Sequence, residues 1–208
     1  MNKLKIAFDK YLWREVGANI FLALLFLLFA LSNLNSYLSH PRLSPLFAVA
    51  LETVTALLFL FRSRPKQVSF SAYSWVITLA GTFGSLLLRP SSAAQDLLVG
   101  QILQVLGFTL ATIAIISLWR SFGMLPADRG IRRAGAYRLV RHPLYAAYLV
   151  HHAGYLINNF DLYNVMVVVI ATSFQVLRVF DEEKFLSNLP EYREYKSVVR
   201  WRFIPFIF

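Results

Sequence analysis

The chain of 208 residues contains no cysteine. Disulfides, thiolate metal ligands, cysteine nucleophiles and cysteine-linked lipid anchors are therefore excluded. Charged residues are also scarce at 15%, whereas soluble proteins usually carry about a quarter. The sequence has no Gly-x-Gly-x-x-Gly after a strand, no Walker A lysine loop and no Gly-x-Ser-x-Gly. These absences argue against a soluble Rossmann enzyme, a P-loop enzyme and an α/β-hydrolase.

Long hydrophobic segments dominate the chain instead. Hydrophobic residues make up 57% of it, 18 of them phenylalanine, and the mean hydropathy is +0.54. A transmembrane helix needs about 20 mostly apolar residues, and residues 16–37, 45–61, 72–88 and 97–119 have this character. Two further apolar segments, 144–157 and 162–180, are joined by a polar turn. We therefore predict an all-α, polytopic membrane protein with about six transmembrane helices, four plus a C-terminal helical hairpin. Because the fifth segment is short, a hairpin that dips into the bilayer and returns remains open.

The charges of the loops predict the topology. The net charge is +10, and Lys and Arg concentrate in the N-terminal tail and in the loops after the second and fourth apolar segments. By the positive-inside rule these regions are cytoplasmic, so both termini are predicted to be cytoplasmic. We attribute the basic charge to this topology and to contacts with membrane lipids, and predict no nucleic-acid partner. The first apolar run is longer than a signal-peptide core, and we expect it to be retained.

The two parts of the chain differ in polar content. Residues 1–119 are predicted to form a four-span scaffold with few polar residues, whereas residues 120–208 carry most of the Arg, Tyr, His and acid clusters. The second part is predicted to hold the helical hairpin, a cytoplasm-facing catalytic region and a C-terminal amphipathic segment, within one integrated domain. We therefore expect the functional residues there.

One polar cluster precedes the predicted hairpin, in the sequence Gly-Ala-Tyr-Arg-Leu-Val-Arg-His-Pro-Leu-Tyr (135–145). Pro143 is favourable as the first residue of a helix, and the free amides of such an N-terminus suit an anion. His142 adds a hydrogen-bonding group, and Tyr137 and Tyr145 add aromatic faces that can hold an adenine or a sulfonium. The alternative is a basic, aromatic belt at the membrane interface, which is common in membrane proteins.

A second cluster lies at the end of the last long apolar segment. Arg178 and Glu182 are four residues apart and so share one helix face, and Glu183 follows directly. Acids at a helix C-terminus oppose the helix dipole, which favours a functional role for them. The alternative is an exposed helix pair worth a few tenths of a kcal/mol.

Isolated polar residues occur within the apolar segments. His151 and His152 are adjacent in the fifth segment, and Glu52 is in the second. Adjacent side chains on a helix point about 100° apart, so the two histidines do not easily share one ion. We therefore predict no metal site and interpret these residues as polar packing between helices.

In this order, the motifs resemble the isoprenylcysteine carboxyl methyltransferase family. The resemblance covers about residues 117–208 and rests on the 135–145 motif, a helical hairpin, Arg178-x-x-x-Glu182-Glu183, Glu191-Tyr192-x-x-Tyr195 and a final Pro205-Phe206. It implies an integral membrane methyltransferase that uses S-adenosylmethionine and acts on a lipophilic acceptor reached from the bilayer. The acceptor group it implies is a carboxylate of the prenylcysteine type.

The resemblance also assigns site residues. It implies cofactor binding by Gly135, Tyr137, His142, Pro143, Tyr145, Glu182 and Glu183. Arg178 matches the arginine expected near the acceptor group, and Glu182 would take a proton from an amine or thiol acceptor. Both are therefore predicted to be catalytic. The site would face the cytoplasm, in a bacterial inner membrane. Two alternatives remain: a sterol-type membrane reductase that uses NADPH, and a non-enzymatic membrane carrier or scaffold.

Overall fold

The computed structural model describes residues 2–91 and 97–207. The described part is mainly helical, with short 3-10 turns at Gly84–Leu87, Trp119–Ser121 and Gly135–Arg138. The α-helices, in chain order, are α1 (Asn2–Ser39), α2 (Leu43–Phe61), α3 (Ala72–Phe83), α4 (Leu98–Leu118), α5 (Pro143–Asn158), α6 (Leu162–Leu186) and α7 (Pro190–Val198). Two strands of two residues each, β1 (Gln67–Val68) and β2 (Ala127–Asp128), pair antiparallel.

Four helical segments are long and apolar enough to cross a membrane. They are Glu15–Ser39, Leu43–Phe61, Leu98–Ser121 and Leu162–Leu186. The apolar helix Ala72–Leu87 is shorter, and α5 has only 16 residues. The structure thus confirms a helical protein with several segments of membrane-spanning character, while the predicted six crossings and the cytoplasmic termini stay predictions.

The helices pack in an order that differs from their order in the chain. Helix α1 packs against α2, α2 against α4, α4 against α5, α5 against α6, and α6 against α3. Helices α1 and α3 are thus the two ends of this series. They approach each other through Phe29 and Phe83, whose ring centroids are 6.4 Å apart.

Glycines allow α4 and α5 to lie close together. A Cβ atom added to Gly107 would lie 2.6 Å from the backbone nitrogen of His151, and one added to Gly154 would lie 2.6 Å from the carbonyl oxygen of Gly100. Because no side chain fits at either position, the two backbones can approach directly, as small residues permit in membrane helix pairs.

Two loops and the C-terminal segment meet at one end of the bundle, which we call the basic end. The loops are residues 62–71 and 119–142, and the C-terminal segment, which includes α7, is residues 187–207. The strand pairs Gln67↔Asp128 and Val68↔Ala127 connect the two loops. The C-terminal residues then hold the start of α5, because the amides of Arg141 and His142 donate to the carbonyl oxygens of Trp201 and Arg202, each at 2.8 Å.

Helix α7 packs on the protein through its aromatic side chains. Tyr192 and Tyr195 are each 3% exposed, in a cluster with Leu186 and Val199. The predicted C-terminal amphipathic segment therefore buries its tyrosines against the end of α6. Its aromatic face is thus used for packing within the protein at the basic end.

Candidate active site

The interior of the bundle contains a cavity of about 490 Å³. This volume lies within the range of small-molecule sites, which is about 300–1,000 Å³. Most of the wall is apolar or aromatic, with residues from α1 to α6. Near the basic end, however, Tyr137, His142, Tyr145, Arg178 and Glu182 all contribute to it. The cavity therefore combines a lipophilic interior with a polar, charged end.

Arg178 is fixed in place at this polar end by neutral partners. Its Nη1 donates to Thr82 Oγ1 at 2.9 Å, and its Nη2 donates to the carbonyl oxygen of Met124. Its guanidinium carbon lies 5.6 Å from the centre of the Tyr145 ring. Because these partners are uncharged, the positive charge of Arg178 stays available to a negatively charged group in the cavity.

Glu182 lies one turn further along α6 and also lines the cavity. The side chains of Arg178 and Glu182 share a helix face, as their spacing predicts. Tyr145, from α5, is close to both of them. A cation, an acid and a phenol from two helices thus converge at the polar end of the cavity.

A smaller pocket of about 70 Å³ adjoins the cavity at the basic end. Tyr137, His142 and Glu182 line both spaces. The outer wall of the small pocket includes Arg132 and Tyr192, and the buried hydroxyl of Tyr192 has no hydrogen-bond partner within the described residues. These three residues therefore form a wall common to both spaces.

Glu183 has a different environment from Glu182, although the two are adjacent. Its Oε1 accepts a hydrogen bond from Arg141 Nε at 2.7 Å and lies 3.2 Å from His142 Nε2. Its Oε2 lies 3.2 Å from Arg202 Nε and 3.5 Å from Lys196 Nζ. The carboxylate is almost fully buried, so Glu183 joins α6, the start of α5 and the C-terminal segment in one ionic cluster.

The approach to α5 is shaped by backbone geometry. Gly135 has a φ of +60°, a conformation that glycine adopts without strain, and a Cβ atom there would lie 2.3 Å from Ser117 Oγ. The following 3-10 turn places Tyr137 in the protein interior, where its carbonyl oxygen accepts a hydrogen bond from the Tyr195 hydroxyl at 2.8 Å. Pro143 then begins α5 at its first turn, as predicted.

Burial raises the pKa of two phenols at the basic end. Burial, followed by the nearby acid Glu182, raises the pKa of Tyr137 well above its usual value. Burial is also the main cause of the raised pKa of Tyr195, although Arg141 acts in the opposite direction. Both phenols therefore stay protonated to a higher pH than a tyrosine in water does.

The predicted site residues fall into two groups. Tyr137, His142, Tyr145, Arg178 and Glu182 come together around the cavity. Gly135, Pro143 and Glu183, by contrast, line neither of the two spaces and act on backbone geometry or in the ionic cluster.

Sequence reasoning missed several supporting residues. Thr82 and Met124, which hold Arg178, carry no motif that identifies them. Arg202 and Lys196 at Glu183 lie in a segment whose alternating basic and aromatic residues indicated only an amphipathic surface. Among the described residues, no group of three His, Asp or Glu is placed to hold a metal ion.

No protein-family model matches the sequence, and a comparison with curated proteins finds no match.

Proposed function

We propose that this protein is a membrane methyltransferase that uses S-adenosylmethionine to methylate a lipophilic acceptor, most simply a carboxylate of the prenylcysteine type. One observation carries the proposal. A large, mostly apolar cavity and a small polar pocket share the walls Tyr137, His142 and Glu182, with Arg178 on the cavity side. A water-soluble donor and a lipid acceptor need such a junction between a polar and an apolar space.

The residues present fit a cofactor of this kind. The basic end offers Arg132 and the unpaired hydroxyl of Tyr192 in the small pocket, and the ring of Tyr137 at the junction. Aromatic faces attract sulfonium cations, and hydrogen-bonding groups suit a ribose or an amino-acid carboxylate. The small pocket, at about 70 Å³, holds only part of such a molecule. The cofactor would therefore extend past His142 and Glu182 into the larger cavity.

The chemistry asks for little covalent help from the protein. When bound, S-adenosylmethionine supplies a methyl group on a positively charged sulfur, and the carbon–sulfur bond breaks as a carboxylate oxygen forms the new carbon–oxygen bond. Arg178 would bind and orient that carboxylate through its charge. The apolar wall would exclude water and so favour a close, in-line approach of the two reacting groups. A carboxylate acceptor is already deprotonated and needs no general base.

Glu182 would have one of two roles. Its carboxylate lines both spaces and so would hold the cationic end of the cofactor against the acceptor. If the acceptor were an amine or a thiol, the same carboxylate would take the proton released on methylation.

The membrane would deliver the acceptor. Helices α1 and α3 end the series of packed helices, and Phe29 and Phe83, which make the ring contact between them, both line the cavity. Movement of these two rings would open a lateral route from the bilayer. In this proposal α5 and α6 complete about six crossings, both termini are cytoplasmic, and the basic end faces the cytoplasm of a bacterial inner membrane.

Isothermal titration calorimetry on detergent-purified protein tests the proposal. We expect S-adenosylhomocysteine to bind, and His142→Ala and Glu182→Gln to weaken that binding. Glu194→Gln is the matched control, because Glu194 is exposed and pairs with Arg133 on the surface. Binding of NADPH in place of S-adenosylhomocysteine would instead indicate a reductase, and binding of neither nucleotide would favour a carrier. Transfer of a labelled methyl group into prenylcysteine analogues and extracted lipids then identifies the acceptor.

A further inference from the structure

The large cavity has further polar residues at about the depth of Arg178. Glu52 of α2, His152 of α5 and Gln175 of α6 all line it. At 1.5 Å of rise per residue, each lies roughly 14–17 Å along its helix from the basic end. Since the hydrocarbon layer is about 30 Å thick, this is close to its middle. We call these three residues the mid-cavity cluster.

Two members of the cluster carry buried polar atoms that are not satisfied by the protein. His152 is 3% exposed and Gln175 is 4% exposed. Gln175 Nε2 donates to the carbonyl oxygen of Gly81 at 3.2 Å. His152 Nδ1 and Gln175 Oε1, by contrast, have no hydrogen-bond partner within the described part of the chain. Buried polar atoms are nearly always paired, so unpaired ones that line a cavity point to a ligand or water.

The third member is an acid at a depth where acids are rare. Both carboxylate oxygens of Glu52 accept hydrogen bonds from Asn33 Nδ2, at 3.2 and 3.1 Å. A carboxylate has about four acceptor positions, so this single donor leaves accepting capacity unused. Ionisable residues inside membrane helices usually mark a functional path or binding site.

The chemistry of these atoms selects the kind of ligand group. The amide oxygen of Gln175 can only accept hydrogen bonds, and an ionised Glu52 can only accept them as well. Either nitrogen of a neutral histidine can be the acceptor, depending on the tautomer. A purely hydrocarbon tail would leave His152 Nδ1 and Gln175 Oε1 unpaired and the remaining accepting capacity of Glu52 unused. A hydroxyl or amino group would satisfy them.

We propose that the mid-cavity cluster is a subsite for a hydrogen-bond donor on the hydrocarbon part of the methyl acceptor. The acceptor is then an amphiphile with two polar groups, a carboxylate at Arg178 and a hydroxyl or amino group a few carbons away along its chain. Gln175 lies three residues before Arg178 on α6, one turn and about 4–5 Å of helical rise away, so the two polar groups would be close together. This inference rests on the proposed function for the identity of the first group, but the subsite can be tested without methyl transfer.

Equilibrium binding of three fatty acids to the detergent-purified protein tests the subsite. The probes are stearic acid, a hydroxystearic acid with its hydroxyl a few carbons from the carboxyl group, and the amino acid with an amino group at the same position. We expect the hydroxyl or the amino probe to bind about tenfold more tightly than stearic acid, because a site built for a donor discriminates against an analogue that lacks it. Equal binding of all three probes would mean that water alone occupies the cluster, and would overturn the proposal.

Variants test whether the preference for the polar probe arises at the mid-cavity cluster. Gln175→Leu and Glu52→Leu should each reduce it towards equal binding. Ser173→Leu, on the same helix as Gln175 but on its exposed face, should keep it. Glu52→Leu remains informative if Gln175→Leu fails to fold, because leucine is favourable in the middle of a membrane helix. Retention of the full preference in both cluster variants would also contradict the proposal.

Binding of S-adenosylhomocysteine, measured on the same samples, separates this inference from the proposed function. A protein that binds S-adenosylhomocysteine but shows no preference among the fatty acids refutes the subsite and leaves the methyltransferase proposal intact. A protein that prefers the polar probe but does not bind S-adenosylhomocysteine refutes the methyltransferase proposal and supports the subsite.

Discussion

Replacement of Glu183 by glutamine should release the C-terminal segment from the start of α5. Glu183 is almost fully buried and contacts four cationic or titratable side chains, of which Arg141, His142 and Arg202 lie within 3.2 Å. Glutamine keeps the shape but removes the negative charge. Removing one partner of a buried ion pair typically costs about 3–5 kcal/mol, because the other charge stays buried without compensation. Since about 1.4 kcal/mol is tenfold in an equilibrium constant, the opened state should become about a hundredfold more populated, or more.

Hydrogen exchange measures this opening directly. The amides of Arg141 and His142 are protected by the carbonyl oxygens of Trp201 and Arg202. Their exchange should therefore accelerate in Glu183→Gln by the same factor as the opening equilibrium.

The matched control is the same substitution at the neighbouring residue. Glu182→Gln should leave the exchange of these two amides unchanged, because Glu182 faces the cavity and no ion pair of Glu182 is found among the described residues. The reasoning is refuted if the two variants accelerate exchange equally, or if Glu183→Gln changes it by less than about threefold.

Three further predictions concern packing and pH. Gly107→Leu should lower the free energy of unfolding by about 1–3 kcal/mol or more, because its Cβ would meet the backbone of His151. Thermal unfolding measures this change. Gly17→Leu is the control and should have little effect, because a side chain at Gly17 has open space. Tyr195→Phe leaves the carbonyl oxygen of Tyr137 without its donor and should lower the free energy of unfolding by about 1–3 kcal/mol in the same assay. Both tyrosines have a raised pKa in the folded state, so the unfolded chain loses their protons first. The free energy of unfolding should then be constant below a pH of about 10 and decrease above it. Unfolding curves measured across this range should show a smaller decrease in Tyr195→Phe than in the wild type.

The long helices were predictable because they depend on local composition. The apolar run 97–119 predicts α4, which is found at Leu98–Leu118, and the run 45–61 predicts α2, found at Leu43–Phe61. In contrast, the packing order of the helices was not predictable, because it depends on which faces fit together. The close contact of α4 with α5, for example, requires Gly107 to lie opposite His151, and the sequence alone does not say which glycines face a partner.

The site was predictable as a set of residues but not as an arrangement. Motifs identified Arg178, Glu182 and Glu183 together, yet consecutive side chains on a helix point about 100° apart. One acid therefore faces the cavity while the other faces the ionic cluster. Which one does so depends on where Arg141 and Arg202 lie, and Arg202 comes from a segment that reaches Glu183 only after folding.

The polar residues within the membrane segments show the same dependence on three-dimensional context. Considered singly, Glu52, His152 and Gln175 suggest polar contacts between helices, which are common in membrane proteins. In the fold they lie on three helices, at one depth, on the wall of one cavity, and two of them keep unpaired atoms. A cavity with a cation and, about one helical turn away, buried polar atoms without partners favours an occupant with two nearby polar groups. The short distance between Arg178 and Gln175 along α6 therefore constrains the acceptor more closely than the motifs at the basic end do.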